Sequence, residues 1–503
     1  MQKVRFSLIA LFSLLSLCST AQGRRFLHAS CTPEGEAQST NLEGQSSKFK
    51  VQSRLTLQTQ WDADRTYPVA VVLVAFADKA FSCDDPADRY YRMLNEEGYN
   101  EGAGPGCLAE YFVEQSGGLF HPRFDVYGPL TLASEYNANG QYGSSAFRNA
   151  LELLGGQAEE ADFSVYDWNG DGRAEPVIFV YAGYGGNETS TQGKGYIWPN
   201  TYTFSSITLD GTSFTGYSAS AELWSNDTSC GIGTIAHEFS HTLGLPDIYP
   251  TSGSEYSVCD EWDLMDGGNY VDNGWCPPCY SAHERMLLGW FTPVELTESV
   301  TISNMPPYSE GGLAYLIPTE TDTEFFLLEN RQWSGWDART PGHGLLISHV
   351  DYDARTWQNN RVNSNAKHHR YDHAHADNRD YNAWDDIVGD GDPYLAGHSM
   401  LLSGTPYPYQ DDTKENRDFT DDSEPASTTY NGTGLLSKPI TGIEENADGT
   451  VTFHFMGGDT SGIHSALSTK RPAQTTYDLY GRQVTAGYRG LVVRNGKLFL
   501  STL

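Results

Sequence analysis

The chain has 503 residues, too many for a single hydrophobic core, so its length predicts two or three domains. Its 65 acidic residues outnumber the 32 basic ones and give a formal net charge of −33. A surface this acidic repels nucleic acid and anionic membranes, which excludes both as primary partners and fits a soluble extracellular protein.

The N-terminus has the pattern of a secretory signal peptide. Lys3 and Arg5 precede an apolar run, and the small residues that end at Ala21 predict cleavage there, which removes residues 1–21. No other apolar stretch reaches about 18 residues, so no membrane span is predicted. The polar stretch 22–65 has the composition of a pro-segment or leader. We therefore expect a secreted protein, extracellular or at the cell surface.

Export makes the cysteines candidates for disulfide bonds. Of the eight cysteines, all but Cys18 lie outside the signal peptide, and the sequence does not choose among their pairings. The pair Cys276 and Cys279 also has the spacing of a redox CxxC motif. No thioredoxin-like βαβ pattern surrounds it, which favours a disulfide role.

Strands and helices are mixed in order up to residue 290, which predicts an α+β domain with a mixed sheet over residues 66–290. The predicted elements are, in order, a buried strand at Tyr67–Asp78, a helix, a Gly-Gly break and a strand within Cys107–Leu132, a strand at Glu175–Gly185, and helices at Thr234–Leu243 and Ser281–Leu288.

From residue 291 the pattern changes to short β-type runs separated by Gly, Pro and Asp, which predicts an all-β sandwich over residues 291–457. The polar insert at 355–423 is predicted to be a loop. Its histidine-rich part, His368–His375, is typical of a solvated loop more than of a metal site. Residues 458–503 are predicted to form a linker and a short C-terminal β tail.

The stretch from Thr234 to Leu243 carries chemistry on one helical face. At the helical period, His237 and His241 lie one above the other, and an apolar stripe of Ile235, Phe239 and Leu243 lies on the opposite side. The apolar stripe can pack on a core while both imidazoles face a cleft. Two histidines at this spacing can bind a catalytic zinc ion, with the adjacent Glu238 beside a water molecule.

The residues after this helix supply a third ligand. Gly244 is expected to end the helix in a left-handed turn, and Pro246 prevents its continuation. The chain then reverses, which can bring Asp247 to the histidines. Three protein ligands leave one coordination position for water, as in catalytic zinc sites.

These motifs resemble those of the immune inhibitor A-like peptidases, zinc endopeptidases of the metzincin type. The resemblance covers about residues 67–457 and is carried by HEFSHTLGLPDIY (237–249), WDLMDGGNY (262–270), SAHERMLLGW (281–290) and FFLLENRQWSGWD (325–337), among others. It implies a metzincin-like fold, with His237, His241 and Asp247 as zinc ligands, Glu238 as the catalytic glutamate and Met265 as the methionine of the turn under the metal. The C-terminal tail resembles the sorting segments of exported bacterial proteins that use a type IX secretion route.

The chemistry expected of this site is peptide hydrolysis. Glu238 would take a proton from water and pass it to the leaving amine. A second donor to the developing oxyanion is needed, and Tyr270 and Tyr280 are candidates for it, although such tyrosines more often simply pack.

Two further features have open interpretations. Asp167, Asn169 and Asp171 have the opening of a calcium loop, but Ile178 stands where an EF-hand has glutamate, so a candidate Ca²⁺ site and a plain turn remain alternatives. Cys31, in the pro-segment, is a candidate zymogen thiol that could bind the zinc; a disulfide or a free thiol is the alternative.

The sequence therefore predicts a secreted zinc-dependent endopeptidase, favoured as a monomer, that acts on proteins or peptides. The alternative is a surface adhesin or glycan-binding protein with an inactive protease-like domain. The complete set of His237, Glu238, His241 and Asp247 favours the enzyme.

Overall fold

The structure is a computed structural model, and it describes residues 61–157, 161–175, 177–188, 190–251, 257–379 and 402–458, with the backbone of five short strands beyond them. The predicted signal peptide, nearly all of the predicted pro-segment with Cys31, and most of the C-terminal tail lie outside the described residues.

The first half of the chain contains a five-stranded mixed sheet. Its strands are β1 (Thr66–Ala75), β2 (His121–Thr131), β3 (Val177–Tyr184), β4 (Asn200–Leu209) and β5 (Thr212–Leu223). They lie in the order β2-β1-β3-β5-β4, and all neighbours are parallel except the edge strand β4, which is antiparallel to β5. The inner strands β1 and β3 are runs of apolar residues because both faces of the sheet are covered.

Helices cover the two faces of this sheet. They are α1 (Pro86–Asn95), α2 (Leu108–Gln115), α3 (Ser144–Gln157), α4 (Gly233–Leu243) and α5 (Ala282–Leu287). Side chains of β1 alternate between two hydrophobic clusters: Val71 packs with α1, α2, α4 and α5, whereas Val72 packs with α3. Short 3-10 turns occur at Phe163–Tyr166, Asp260–Trp262, Gly268–Gly274, Tyr308–Glu310 and Gly335–Asp337.

The second half is mostly β structure. Its elements are β6 (Val294–Glu295), β7 (Val300–Met305), β8 (Ala314–Pro318), β9 (Glu324–Arg331), β10 (Gly344–Asp351), α6 (Ala354–Gln358), β11 (Tyr371–His373), β12 (Tyr409–Gln410), β13 (Glu415–Asn416), β14 (Ile440–Glu445) and β15 (Val451–Phe455). Further strands are β16 (Ile463–Ser465), β17 (Thr476–Asp478), β18 (Gln483–Val484), β19 (Gly490–Arg494) and β20 (Lys497–Ser501).

One sheet of the second half packs against the first half. It has the order β11-β10-β9-β8-β6, and a four-stranded sheet has the order β14-β15-β7-β16. In β9, Leu327 belongs to the hydrophobic cluster that contains α4, whereas Leu328 belongs to a third cluster, shared with the four-stranded sheet. The core around α4 therefore includes residues from both sides of residue 290.

The α+β class is confirmed by this mixture of helices and sheets. The metzincin-like and sandwich descriptions and the domain boundaries stay predictions. Within the described residues, no helix is both long and apolar enough to cross a membrane.

The histidine-rich part of the insert is not a solvated loop, so that prediction is wrong. Tyr371–His373 is strand β11, paired with β10, and the side chains of His369, His373 and His375 are buried. The chain around Thr405 contacts the residues that follow this strand: Thr405 Oγ1 lies 3.2 Å from His375 Nδ1, and the Thr405 carbonyl accepts from the Ala376 N–H at 3.0 Å. A polar composition predicted exposure, but pairing with β10 and the contact with the later segment at Thr405 bury this part of the chain.

The expected disulfide bonds do not appear among the described cysteines. Cys83, Cys107, Cys259, Cys276 and Cys279 are free thiols. Four of these five are buried. Two of them make hydrogen bonds to other groups: Gln115 Nε2 donates to Cys279 Sγ, and Cys276 Sγ donates to the Trp336 carbonyl. Burial raises the pKa of Cys107 and of Cys276 to about 12, which makes both unreactive.

Candidate metal centre

Helix α4 carries the histidines and ends where the sequence predicts. Gly244 adopts φ +104°, in the left-handed region, and its N–H bonds back to the His241 carbonyl. Ile235, Phe239 and Leu243 are buried in the core, so the apolar stripe anchors the helix. The opposite side of α4 carries the two imidazoles.

The turn after Gly244 brings Asp247 to both histidines. Asp247 Oδ1 lies 3.3 Å from His237 Nε2 and 3.2 Å from His241 Nε2. In the described part of the chain, this is the one group of three His, Cys, Asp or Glu side chains whose ligand atoms all lie within 4.8 Å of one another. Asp247 is fully buried, and the histidine side chains are 6% and 9% exposed.

Backbone carbonyls orient both rings. His237 Nδ1 lies 2.8 Å from the Leu264 carbonyl, and His241 Nδ1 lies 2.8 Å from the Leu245 carbonyl. A carbonyl only accepts hydrogen bonds, so each Nδ1 carries the proton. In the neutral ring, each Nε2 then presents a lone pair toward Asp247, the tautomer that a metal-binding histidine needs.

The donor set fits a divalent cation. Asp247 Oδ1 is buried, and the Nε2 atoms of both histidines face it. Burial alone would lower the pKa of His241, but Asp247 raises it to about 9. The group thus favours an added positive charge, and two imidazole nitrogens with one carboxylate oxygen are suitable ligands for Zn²⁺.

Glu238 lies beside this group and is held by the edge strand of the sheet. Thr201 Oγ1, on β4, lies 3.1 Å from Glu238 Oε2 and 2.6 Å from the Glu238 carbonyl. Burial raises the pKa of Glu238, although His237 and His241 oppose this effect. A raised pKa makes this carboxylate a stronger base, as a residue that accepts and releases a proton needs to be.

The segment that contains Met265 supports the ligands through its backbone. The Leu264 carbonyl accepts from His237, and the Met265 carbonyl accepts from the Ile248 N–H at 2.8 Å, next to Asp247. Met265 itself is fully buried, and its N–H donates to Asp263 Oδ1 at 2.8 Å.

A buried carboxyl pair lies behind this segment. Asp263 and Glu284 interact with each other, and burial raises the pKa of both, which favours a proton shared by the pair. Glu284 also accepts from the Ser281 N–H at 2.7 Å, in the cap of α5. The pair thereby joins α5 to the segment under the histidines.

The two tyrosines considered as oxyanion donors lie in different surroundings. Tyr270 is partly buried, and its hydroxyl accepts from Asn187 Nδ2 at 3.5 Å. Burial raises its pKa, and the carboxylates of Glu238 and Asp247 act in the same direction. Tyr280 is fully buried, and its hydroxyl is hydrogen-bonded to Ser240 Oγ within the core.

The candidate calcium loop is closed by its own backbone. Asp167 accepts from the N–H groups of Gly170 and Gly172, each at 2.8 Å, and Asn169 Oδ1 accepts from the Asp171 N–H at 2.9 Å. These are the contacts of a tight Asx-type turn. The structure therefore supports the plain turn at Asp167, Asn169 and Asp171 and gives no support to a Ca²⁺ site.

The sequence did not indicate three of the groups that build this centre. They are Thr201 against Glu238, the Leu264 carbonyl against His237, and Asn360, whose side chain bonds to Asp247. All three contacts join segments distant in sequence, so no local motif reports them.

A candidate cation site of two imidazoles and one carboxylate beside a buried glutamate is an arrangement found in metal-dependent peptidases. A match between part of the chain and a known protein family supports this class. Residues 64–285 match the family described as Immune inhibitor A peptidase M6, catalytic domain. The predicted resemblance to the immune inhibitor A-like metalloproteases is thus confirmed, and for the matched domain so is the predicted metalloendopeptidase class.

Curated relatives give the same assignment at low identity. The chain is 25% identical over 327 residues to immune inhibitor A of Bacillus thuringiensis subsp. alesti, covering 51% of this chain and 48% of that protein. It is 24% identical over 242 residues to pre-pro-metalloprotease PrtV of Vibrio cholerae serotype O1 (strain M66-2), covering 41% of this chain and 26% of that protein. The chain thus matches about half the length of the first relative and about a quarter of the second.

Proposed function

We propose that the chain is a secreted zinc-dependent endopeptidase that hydrolyses peptide bonds in proteins. The observation that carries this proposal is the convergence of His237 Nε2, His241 Nε2 and Asp247 Oδ1 within 4.8 Å. The match of residues 64–285 to a peptidase catalytic domain supports it. Export is supported by the signal-peptide pattern of residues 1–21.

His237, His241 and Asp247 would hold the metal. When bound there, zinc supplies positive charge that polarises a peptide carbonyl and lowers the pKa of water. The hydrogen bonds from both Nδ1 atoms to backbone carbonyls keep the rings in place during the reaction.

Glu238 is the proposed general base. It accepts a proton from the attacking water and then delivers that proton to the leaving amine, and its raised pKa suits both steps. Thr201 holds the carboxylate in position. The phenol of Tyr270 is the proposed hydrogen-bond donor to the substrate oxygen on which negative charge develops.

Strand β4 is the proposed binding site of the substrate. It is the edge strand of its sheet, so its outer backbone groups can pair with an extended peptide. Thr201 belongs to this strand and contacts Glu238, which would put a bound peptide next to the general base.

The test uses the full chain with casein as substrate, with and without a zinc chelator. We expect cleavage that the chelator abolishes and that added Zn²⁺ restores. Glu238→Gln should lower the rate by about 100- to 10,000-fold, with zinc binding retained. Glu135→Gln, at an exposed position, is the matched control and should leave the rate unchanged.

Casein that stays intact under all conditions, or cleavage that is insensitive to both the chelator and Glu238→Gln, would refute the proposal. N-terminal sequencing of the exported protein tests the signal peptide, because a new terminus at residue 22 or later is expected.

A further inference from the structure

The third ligand is held by a segment outside the matched catalytic domain. The chain from Asn360 to Asn363 follows helix α6, well beyond residue 285, and runs along the loop that carries Asp247. Asn363 Nδ2 donates to the Ile248 carbonyl at 2.9 Å, and Thr251 Oγ1 donates to the Asn360 carbonyl at 2.7 Å.

Asn360 makes a paired contact with the ligand itself. Its Oδ1 accepts from the Asp247 N–H at 2.6 Å, and its Nδ2 donates to Asp247 Oδ2 at 2.6 Å. One amide therefore fixes both the backbone and the carboxylate of Asp247. Because Oδ2 is engaged by the amide, Oδ1 is the oxygen that is turned toward His237 and His241.

We infer that Asn360 is a positioning residue of the metal centre, which makes this site depend on the downstream half of the chain. The inference rests on the proposed function. The Nδ2–H bond orients the carboxylate so that a single oxygen, Oδ1, is the ligand. A hydrogen bond to the second oxygen of a ligating carboxylate is a contact that tunes metal affinity.

The chemistry at this position requires asparagine. The backbone of residue 360 has φ +53°, a conformation that asparagine and glycine tolerate better than most residues. An aspartate would keep the acceptor for the Asp247 N–H but would face Asp247 Oδ2 with a second negative oxygen in place of a donor. A glycine would keep the backbone conformation but supply no amide.

These properties define two variants and a control. Asn360→Gly removes the amide without backbone strain. Asn360→Asp keeps the shape of the side chain but replaces the Nδ2 donor with an oxygen acceptor. Asn304→Gly is the matched control, because Asn304 is exposed, has φ +56° and lies in β7 of the four-stranded sheet.

The experiment measures Zn²⁺ affinity by competition with a chromogenic chelator, on the full chain. It also measures the melting temperature in excess chelator, and kcat and KM for a peptide substrate. We expect Asn360→Gly to bind Zn²⁺ about 10- to 100-fold more weakly than the wild type. Asn360→Asp should be at least as weak, and Asn304→Gly should bind like the wild type.

The readouts separate the outcomes. If Asn360→Gly lowers the melting temperature in chelator but binds Zn²⁺ like the wild type, the residue is merely structural and the inference is overturned. If Asn360→Gly does not fold, the Zn²⁺ affinity of Asn360→Asp is the test, and an affinity equal to that of the wild type overturns the inference. If the wild type binds no Zn²⁺ or shows no chelator-sensitive cleavage, the proposed function itself fails, whatever the Asn360 variants do.

Discussion

Replacing Arg331 with methionine should strongly destabilise the protein. The guanidinium is fully buried and donates to both oxygens of Asp337, at 2.8 and 2.6 Å, and to Glu329 Oε2 at 3.2 Å. It also donates to the Cys279 carbonyl at 3.2 Å. Arg331 thus neutralises two buried carboxylates of the second half and bonds to the backbone of the first half.

The size of the effect follows from what the substitution leaves behind. Methionine fills much of the volume but leaves the carboxylates of Asp337 and Glu329 buried without a counter-charge, which costs about 3–5 kcal/mol. For a cooperative unit of roughly 150–250 residues, this corresponds to a fall in melting temperature of about 6–20 °C.

The loss of stability caused by Arg331→Met should depend on pH. Burial already raises the pKa of Glu329, against the influence of Arg331, so removal of the cation raises it further. A carboxyl whose folded-state pKa is raised stabilises the fold at low pH, and this contribution is lost as the pH rises through that pKa. The variant should therefore be less destabilised at pH 5 than at pH 8.

The assay is differential scanning calorimetry of the full chain at both pH values. Arg417→Met is the matched control, because Arg417 makes the same kind of ion pairs with Glu415 and Glu444 at the exposed surface. Such pairs contribute about 0–1 kcal/mol. The double variant Arg331→Met/Glu329→Gln should recover part of the lost melting temperature at pH 8, since it removes one of the two buried carboxylates that lack a counter-charge.

Two results would contradict this reasoning. One is an Arg331→Met melting temperature no lower than that of Arg417→Met. The other is an equal loss at pH 5 and pH 8, which would mean that stranded charge is not the cause.

The remaining predictions concern a titrating group and the turn before Asp247. Burial raises the pKa of Glu175 from 4.5 to about 7, so the stability it contributes is present below pH 4.5 and is lost as the pH rises through 7. The free energy of unfolding of Glu175→Gln should therefore rise relative to that of the wild type by up to about 3 kcal/mol between pH 5 and pH 8. Unfolding midpoints measure it, and equal pH dependence of stability in the two proteins would refute the prediction. Gly244→Ala, at φ +104°, should cost about 1–2 kcal/mol and also weaken Zn²⁺ binding, because the turn delivers Asp247. Gly211→Ala, at φ +81° in the β4–β5 turn, should cost a similar amount and leave Zn²⁺ affinity unchanged; equal zinc affinity in both variants would show that the Gly244 turn does not position the ligand.

The local part of the metal centre could be predicted from the sequence. The spacing of His237 and His241 and the apolar stripe on the opposite side of the helix depend on the helical period, which is a property of the backbone alone. Gly244 and Pro246 restrict φ and ψ locally, so the end of the helix and the reversal toward Asp247 were predictable as well.

Long-range contacts could not be predicted in this way. Asn360 and Thr201 are ordinary polar residues in their own segments, and they become part of the centre only because the fold brings those segments to Asp247 and Glu238. The same holds for His373, which is buried where β11 pairs with β10 and whose Nδ1 lies 3.1 Å from Ser348 Oγ, although its neighbours in sequence are polar.

The sequence by itself predicted the candidate metal ligands His237, His241 and Asp247 and the helix that carries the two histidines, because both depend on residues within a few positions of one another. The tertiary structure alone decided how each ligand is oriented, which carboxylates remain buried, and that the cysteines described above are not joined. Those properties depend on burial and on hydrogen bonds between residues more than a hundred positions apart in several cases, such as Asp247 and Asn360, and only the assembled core brings such residues together.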